Sequence, residues 1–133
     1  MADYFQHWLD VGEKADSTKL PKIYYVNWFR KDSDGRFLWP GFGENCRILK
    51  WIFERCNGKA DANKTAIGYL PTEAALDLTG LQLDPDALHE LLTINPEAWH
   101  HEVEQLEEYY KMYGEQLPDG IRRQLDQLKA RLQ

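Results

Sequence analysis

Two apolar stripes at helical spacing, separated by only a short connection, constrain the fold of this chain more than any other feature. Trp99, Val103, Leu106, Tyr110 and Tyr113 alternate by four and three residues, and Ile121, Leu125, Leu128 and Leu132 repeat that rhythm after Pro118. Such spacing predicts two amphipathic helices. Asn95-Pro96 opens the first with an N-cap residue type followed by a proline suited to the first turn, and Gly114 stops it. The short connection then predicts antiparallel pairing of the two helices. Asp84-Pro85 repeats the same start signal and predicts a further helix from near Asp84.

The first two thirds of the chain are less regular. Tyr4, Trp8 and Val11 share one face at helical spacing, with Phe5 and Leu9 beside them, so a short helix is expected to run up to Gly12. Ile23-Tyr24-Tyr25-Val26-Asn27-Trp28-Phe29 is a nearly continuous β-branched and aromatic run, which predicts a buried strand. Asp34-Gly35 signals a turn, after which Arg36 to Trp39 is expected to return as a short second strand until Pro40-Gly41 breaks it. A helix follows from about Glu44 to Arg55, carried by Ile48, Trp51, Ile52 and Arg55 and stopped by Asn57-Gly58. Between Gly58 and Leu83 an irregular connector is expected, with Ala66 to Pro71 as a short extended piece. The expected fold class is α+β, mostly helical, with one buried strand and about five helices over residues 1–133 as a single unit.

Composition narrows the class of function. A hydrophobic fraction of 43% opposes disorder, and no apolar run approaches the roughly 20 residues a bilayer crossing needs, so no membrane partner is expected. The net charge of −6, with carboxylates crowded from Glu97 to Glu108, opposes binding to nucleic acid. The amino terminus lacks a basic head followed by an apolar stretch, so export is not indicated and a cytoplasmic location is expected. Cys46 and Cys56 fall at the two ends of one expected helix, about 15 Å apart by its rise and beyond the roughly 7 Å reach of a disulfide, so free thiols are expected. His100 and His101 point about 100° apart on a helix and do not converge on a metal, and the pairing of His100 with Glu104 supplies only two ligands.

The stretch from Asn27 to Asn45 carries the chemistry. Phe29, Phe37 and Phe42 supply flat apolar faces, Gly41 and Gly43 permit close backbone approach, and Asn45 offers both a donor and an acceptor to the edge of a base. Together they suit a clamp for a planar ring, in which stacking supplies affinity and an amide supplies the choice of base. Two plainer readings compete with it. The aromatics can be a hydrophobic cluster beside a turn, and Asn45 can cap the helix that starts there. Alternation along a strand also forbids Trp28 and Phe29 from facing the same way.

The run Tyr25 to Asp32, followed by Phe37-Leu38-Trp39-Pro40-Gly41-Phe42-Gly43-Glu44-Asn45 and by Ile67-Gly68-Tyr69-Leu70-Pro71, closely resembles the carboxy-terminal part of GTP-dependent phosphoenolpyruvate carboxykinase. The resemblance extends from Asp3-Tyr4-Phe5 to the last helix. It implies a fragment of the α/β carboxy-terminal, nucleotide-binding lobe of an enzyme several times longer, with the amino-terminal part as the missing partner. It further implies that residues matching Phe29 and Phe42 sandwich the guanine of GTP or GDP. Phe37 would close the side of that slot, Trp28 would neighbour it, and Asn45 would help read the base edge. Cys46, where a small hydroxyl residue is expected, and Ala66, where proline is common, depart from the family pattern without removing a clamp residue.

Phosphate chemistry is not provided for within these residues. No G-x-x-x-x-G-K-[ST] loop occurs in the sequence. The resemblance places the phosphate loop, the manganese or magnesium ligands, the oxaloacetate-binding arginines and the lid upstream, so the chain alone is expected to be inactive. The competing reading is a non-catalytic protein-interaction module that uses the aromatic surface, and a segment excised from a larger fold is expected to self-associate through apolar area normally buried.

Overall fold

The amide oxygen of Asn95 accepts from the backbone N–H of Ala98 at 3.1 Å, and Asp84 caps in the same way by accepting from Asp86 at 3.0 Å. Each cap is followed by proline at the first helical position, where a missing N–H costs nothing. The computed structural model describes all residues from 1 to 133, and in it these two signals open α3 (Pro85–Leu92) and α4 (Pro96–Lys111). The other helices are α1 (Ala2–Lys14), α2 (Asn45–Cys56) and α5 (Asp119–Leu132), making five as expected. No helix is long and apolar enough to cross a membrane. The chain divides into two compact units, one made of Met1–Pro21 with Asn95–Gln133 and the other of Lys22–Ile94.

In the first unit α4 and α5 pair antiparallel, as their stripes predict. Lys129 of α5 bridges to Glu107 of α4, while Arg122, nearer the start of α5, donates to the carbonyl of Gly114 just past the end of α4. Val103, Leu117 and Leu132 are buried there. Helix α1 packs so closely on α5 that a Cβ added at Gly120 would lie 2.8 Å from Leu9 Cδ1. Its inward residues are Ala2, Phe5 and Leu9, with Phe5 edge-on to Tyr113 at 5.7 Å, whereas Tyr4, Trp8 and Val11 face solvent. The helix also runs through Gly12 to Lys14 instead of stopping there. Glycine inside a helix costs only about 1 kcal/mol, and the bond from Ala15 N–H to the Val11 carbonyl carries the ladder past it.

In the second unit Trp51, Leu76 and Leu88 form the core, and Tyr24, Ile48, Ile52, Leu83 and Leu92 pack around them. The Trp51 indole N–H donates to the Asp61 carbonyl at 3.1 Å, so this large side chain is buried without leaving a polar atom unpaired. Strands β1 (Ala62–Thr65) and β2 (Gly68–Pro71) form an antiparallel hairpin in which Ala62 opposes Pro71 and Thr65 opposes Gly68. The extended piece expected at Ala66 to Pro71 is thus the second arm of a hairpin. Its first arm, Ala-Asn-Lys-Thr, lies at the surface and carries no apolar alternation to announce it.

The buried strand expected at Ile23 to Phe29 does not form. Residues 21–27 have no regular structure, and the only ladder nearby is a single bridge between Lys31 and Phe37, so the short second strand from Arg36 to Trp39 is reduced to that contact. Ile23 and Tyr25 are 92% and 94% exposed, whereas Tyr24, Val26 and Trp28 between them are half-buried. The alternation of an extended chain is therefore present without a neighbouring strand. Strand preference in such side chains expresses packing against neighbours, and neighbours are what this run lacks.

Candidate functional site

The site is built on a tight reversal of the chain between Arg30 and Leu38. Asp32 organises it: one carboxylate oxygen accepts from the backbone N–H groups of Asp34 and Arg36, both at 2.9 Å, and the other from Arg36 Nε at 3.1 Å. Gly35, at φ +81°, supplies the left-handed residue that the reversal needs. The backbone N–H of Arg36, with those of Asp34 and the Arg36 guanidinium, holds the Asp32 carboxyl below its ordinary value of 3.8. A depressed carboxyl stabilises the fold above its unfolded pKa and loses that contribution as pH falls through the lower folded value. The turn is accordingly expected to stay intact above pH 3.8 and to loosen only below it. An NMR titration following the Asp32 carboxyl and the amides of residues 33–36 measures this, and an Asp32 pKa at or above the ordinary value would contradict the arrangement.

The reversal brings Phe29 and Phe37 together edge-to-face, with centroids 6.3 Å apart and planes at 63°. Both rings are exposed. The ammonium of Lys31 stands 4.9 Å from the Phe37 centroid and covers one face of that ring. Of the other cations in the stretch, Arg36 is bound to Asp32 and Asp34, and Arg30 donates to the Leu91 carbonyl at 3.3 Å. Trp28 is half-buried while Phe29 is exposed, which satisfies the requirement that they face opposite ways.

Past the reversal, Leu38 and Trp39 turn inward, and the chain enters a short 3-10 turn, Phe42–Glu44, that leads into α2. Gly41 has φ 75° and ψ −166°, a region open to glycine almost alone. Phe42 follows at φ 47°, the one non-glycine residue with positive φ in the chain, and it is 98% exposed. A bulky side chain in that conformation stores about 1–3 kcal/mol of strain, with no burial to offset it. Backbone strain of this kind clusters at active sites, ligand clamps and switch regions.

Asn45 begins α2, but its side chain does not cap the helix. Its Oδ1 accepts from Trp39 Nε1 at 3.0 Å. Glu44, at the cap position, instead pairs with Arg47, whose guanidinium also donates to the carbonyls of Asp77 and Thr79 and ties the start of α2 to that loop. Trp39 and Arg47 escaped notice in the sequence. A tryptophan six residues before an asparagine is a faint signal, since nothing local reveals that their polar atoms meet. Cys46 and Cys56 are both free and exposed. No group of three or more His, Cys, Asp or Glu side chains stands together, so a divalent metal has no fitting set of ligands among these residues.

The model of the phosphoenolpyruvate carboxykinase C-terminal P-loop domain matches residues 1–131. The chain belongs to that carboxykinase family. Relatives support the assignment along the whole length. The phosphoenolpyruvate carboxykinase [GTP] of Treponema pallidum (strain Nichols) is 47% identical over 133 residues, which is 99% of this chain and 22% of the relative. That of Neocallimastix frontalis is 50% identical over 133 residues, again 99% and 22%. That of Arthrobacter sp. (strain FB24) is 48% identical over 130 residues, 98% and 21%. The chain therefore spans about a fifth of the length of the curated relatives it matches, and the loop for which the domain is named is not among its residues. Family membership disfavours the reading as a free-standing interaction module.

Proposed function

We propose that residues 1–133 act as one unit, the guanine-binding segment in the carboxy-terminal α/β lobe of a GTP-dependent phosphoenolpyruvate carboxykinase. The enzyme converts oxaloacetate and GTP to phosphoenolpyruvate, carbon dioxide and GDP in the cytoplasm, and this segment supplies base recognition. Phe42 and Phe29 stack on the two faces of guanine, Phe37 bounds its edge, Trp28 backs the slot, and Asn45 reads the base. The observation that carries this reading is Phe42, strained and fully presented to solvent one residue after Gly41. A ring held in that state at an energetic cost is explained by a ligand that stacks on it.

The manganese or magnesium ion, the phosphate loop and the groups that hold oxaloacetate belong to the rest of the enzyme. Phosphoryl transfer depends on positioning and charge neutralisation, so the segment alone does not catalyse it. Titration of the full-length enzyme carrying this segment with GTP, GDP and ATP, followed by tryptophan fluorescence, should show GTP and GDP bound at least about tenfold more tightly than ATP. Equal affinity for guanine and adenine nucleotides would sink the reading.

A further inference from the structure

Trp39 is 5% exposed, and its indole nitrogen has a hydrogen to give and no lone pair to offer. Its partner in the fold is the side-chain amide of Asn45, 3.0 Å away. A donor-only group admits one orientation of that amide: the oxygen must face Trp39, which turns the NH2 away from it. A buried indole N–H left without an acceptor is costly, so the reversed orientation of the amide is opposed by that cost. Asn45 itself is half-buried at the first residue of α2, and the short turn that precedes it presents Phe42.

We propose that Trp39 is a positioning residue for base choice: by binding Oδ1 of Asn45 it holds the Asn45 NH2 as the group that meets the 6-position of the base. The inference rests on the guanine-binding reading above. A purine with a 6-oxo group offers an acceptor there, whereas adenine offers an amino donor, so an amide fixed as a donor accepts the first and opposes the second. Without the indole N–H the amide can turn over at little cost, and it then presents an oxygen that suits adenine as well as its NH2 suits guanine. Stacking on the phenylalanines is indifferent to this change.

The test uses the full-length enzyme in which this segment replaces the matching segment of the Neocallimastix frontalis relative, 50% identical to it. Trp39→Phe keeps an aromatic ring and removes the N–H. It should narrow the preference for GTP over ATP by about three- to tenfold: KM for ATP falls, KM for GTP and for ITP rises alike by no more than about twofold because both carry the 6-oxo group, and kcat stays within about twofold. In an Asn45→Ala background the same substitution should change nothing further, since the amide it orients is gone. A rise in KM shared by all three nucleotides, or an undiminished effect beside Asn45→Ala, would show that Trp39 acts by packing and would overturn the proposal.

If the unsubstituted enzyme does not prefer GTP to ATP, base recognition by this segment fails and the role of Trp39 with it; if it prefers GTP and Trp39→Phe retains that preference, only the role of Trp39 fails. A measurement that does not depend on folding of the tryptophan variant is hydrogen exchange of the Trp39 indole in enzyme carrying labelled tryptophan. Asn45→Ala should accelerate that exchange at least about tenfold, and unchanged exchange would overturn the proposal.

Discussion

Replacing Phe42 with alanine in the full-length enzyme should raise KM for GTP by about five- to a hundred-and-fifty-fold with a smaller effect on kcat. Stacking of a base on an aromatic face is worth roughly 1–3 kcal/mol, and each 1.4 kcal/mol is a factor of ten, which sets that range. No packing loss opposes or mimics the effect, because Phe42 is 98% exposed and supports nothing in the fold. The substitution also swaps a strained aromatic for a residue that remains unfavourable at φ 47°, so stability should change little. Steady-state kinetics with GTP varied, together with a thermal melt, measures both quantities. An unchanged KM would remove Phe42 from the base slot. A large fall in melting temperature would instead mean that the ring is buried in the assembled enzyme.

The second large effect is on stability. Trp51→Ala should destabilise the Lys22–Ile94 unit by about 3–5 kcal/mol, the range for removing a large aromatic from a packed core. Trp51 lies at the centre of the contacts among Leu76, Leu88, Ile48 and Tyr24, and Tyr24 meets it edge-on with centroids 6.0 Å apart. Its indole N–H also satisfies the Asp61 carbonyl next to β1, so the hairpin loses its tie to α2 in the same substitution. Against a typical stability of about 5–15 kcal/mol, a loss of this size removes much of what holds a domain folded. Urea unfolding followed by circular dichroism gives the number. A change under about 1 kcal/mol would show that the unit is held together by something other than this core.

Much of the helical architecture was legible because its signals are local. Asn95-Pro96 and Asp84-Pro85 declare helix starts within two residues, and the apolar rhythm from Trp99 to Tyr113 and from Ile121 to Leu132 declares which faces meet. Gly12 misled because a single glycine only weakens a helix, and the residues beyond it continue the hydrogen-bond ladder. The run from Ile23 to Phe29 misled for a different reason. Its composition suits a strand, but a strand exists only by pairing, and the identity of a partner is not written in the run itself.

The candidate site divides along the same line. Its proposed members Trp28, Phe29, Phe37, Phe42 and Asn45, unlike Trp39, come from residue types and from likeness to a known family, since aromatic faces and an amide keep their chemistry in any fold. Tertiary structure decided how they are placed. Phe29, Phe37 and Phe42 face solvent, Leu38 and Trp39 face inward, and the Asn45 amide is bound by Trp39 and leaves the helix start uncapped. Helix caps and turns arise from hydrogen bonds between residues a few positions apart, so the chain carries its own instructions for them. The direction of a ring or an amide depends on which distant surface has already been filled, and that surface exists only once the chain has folded.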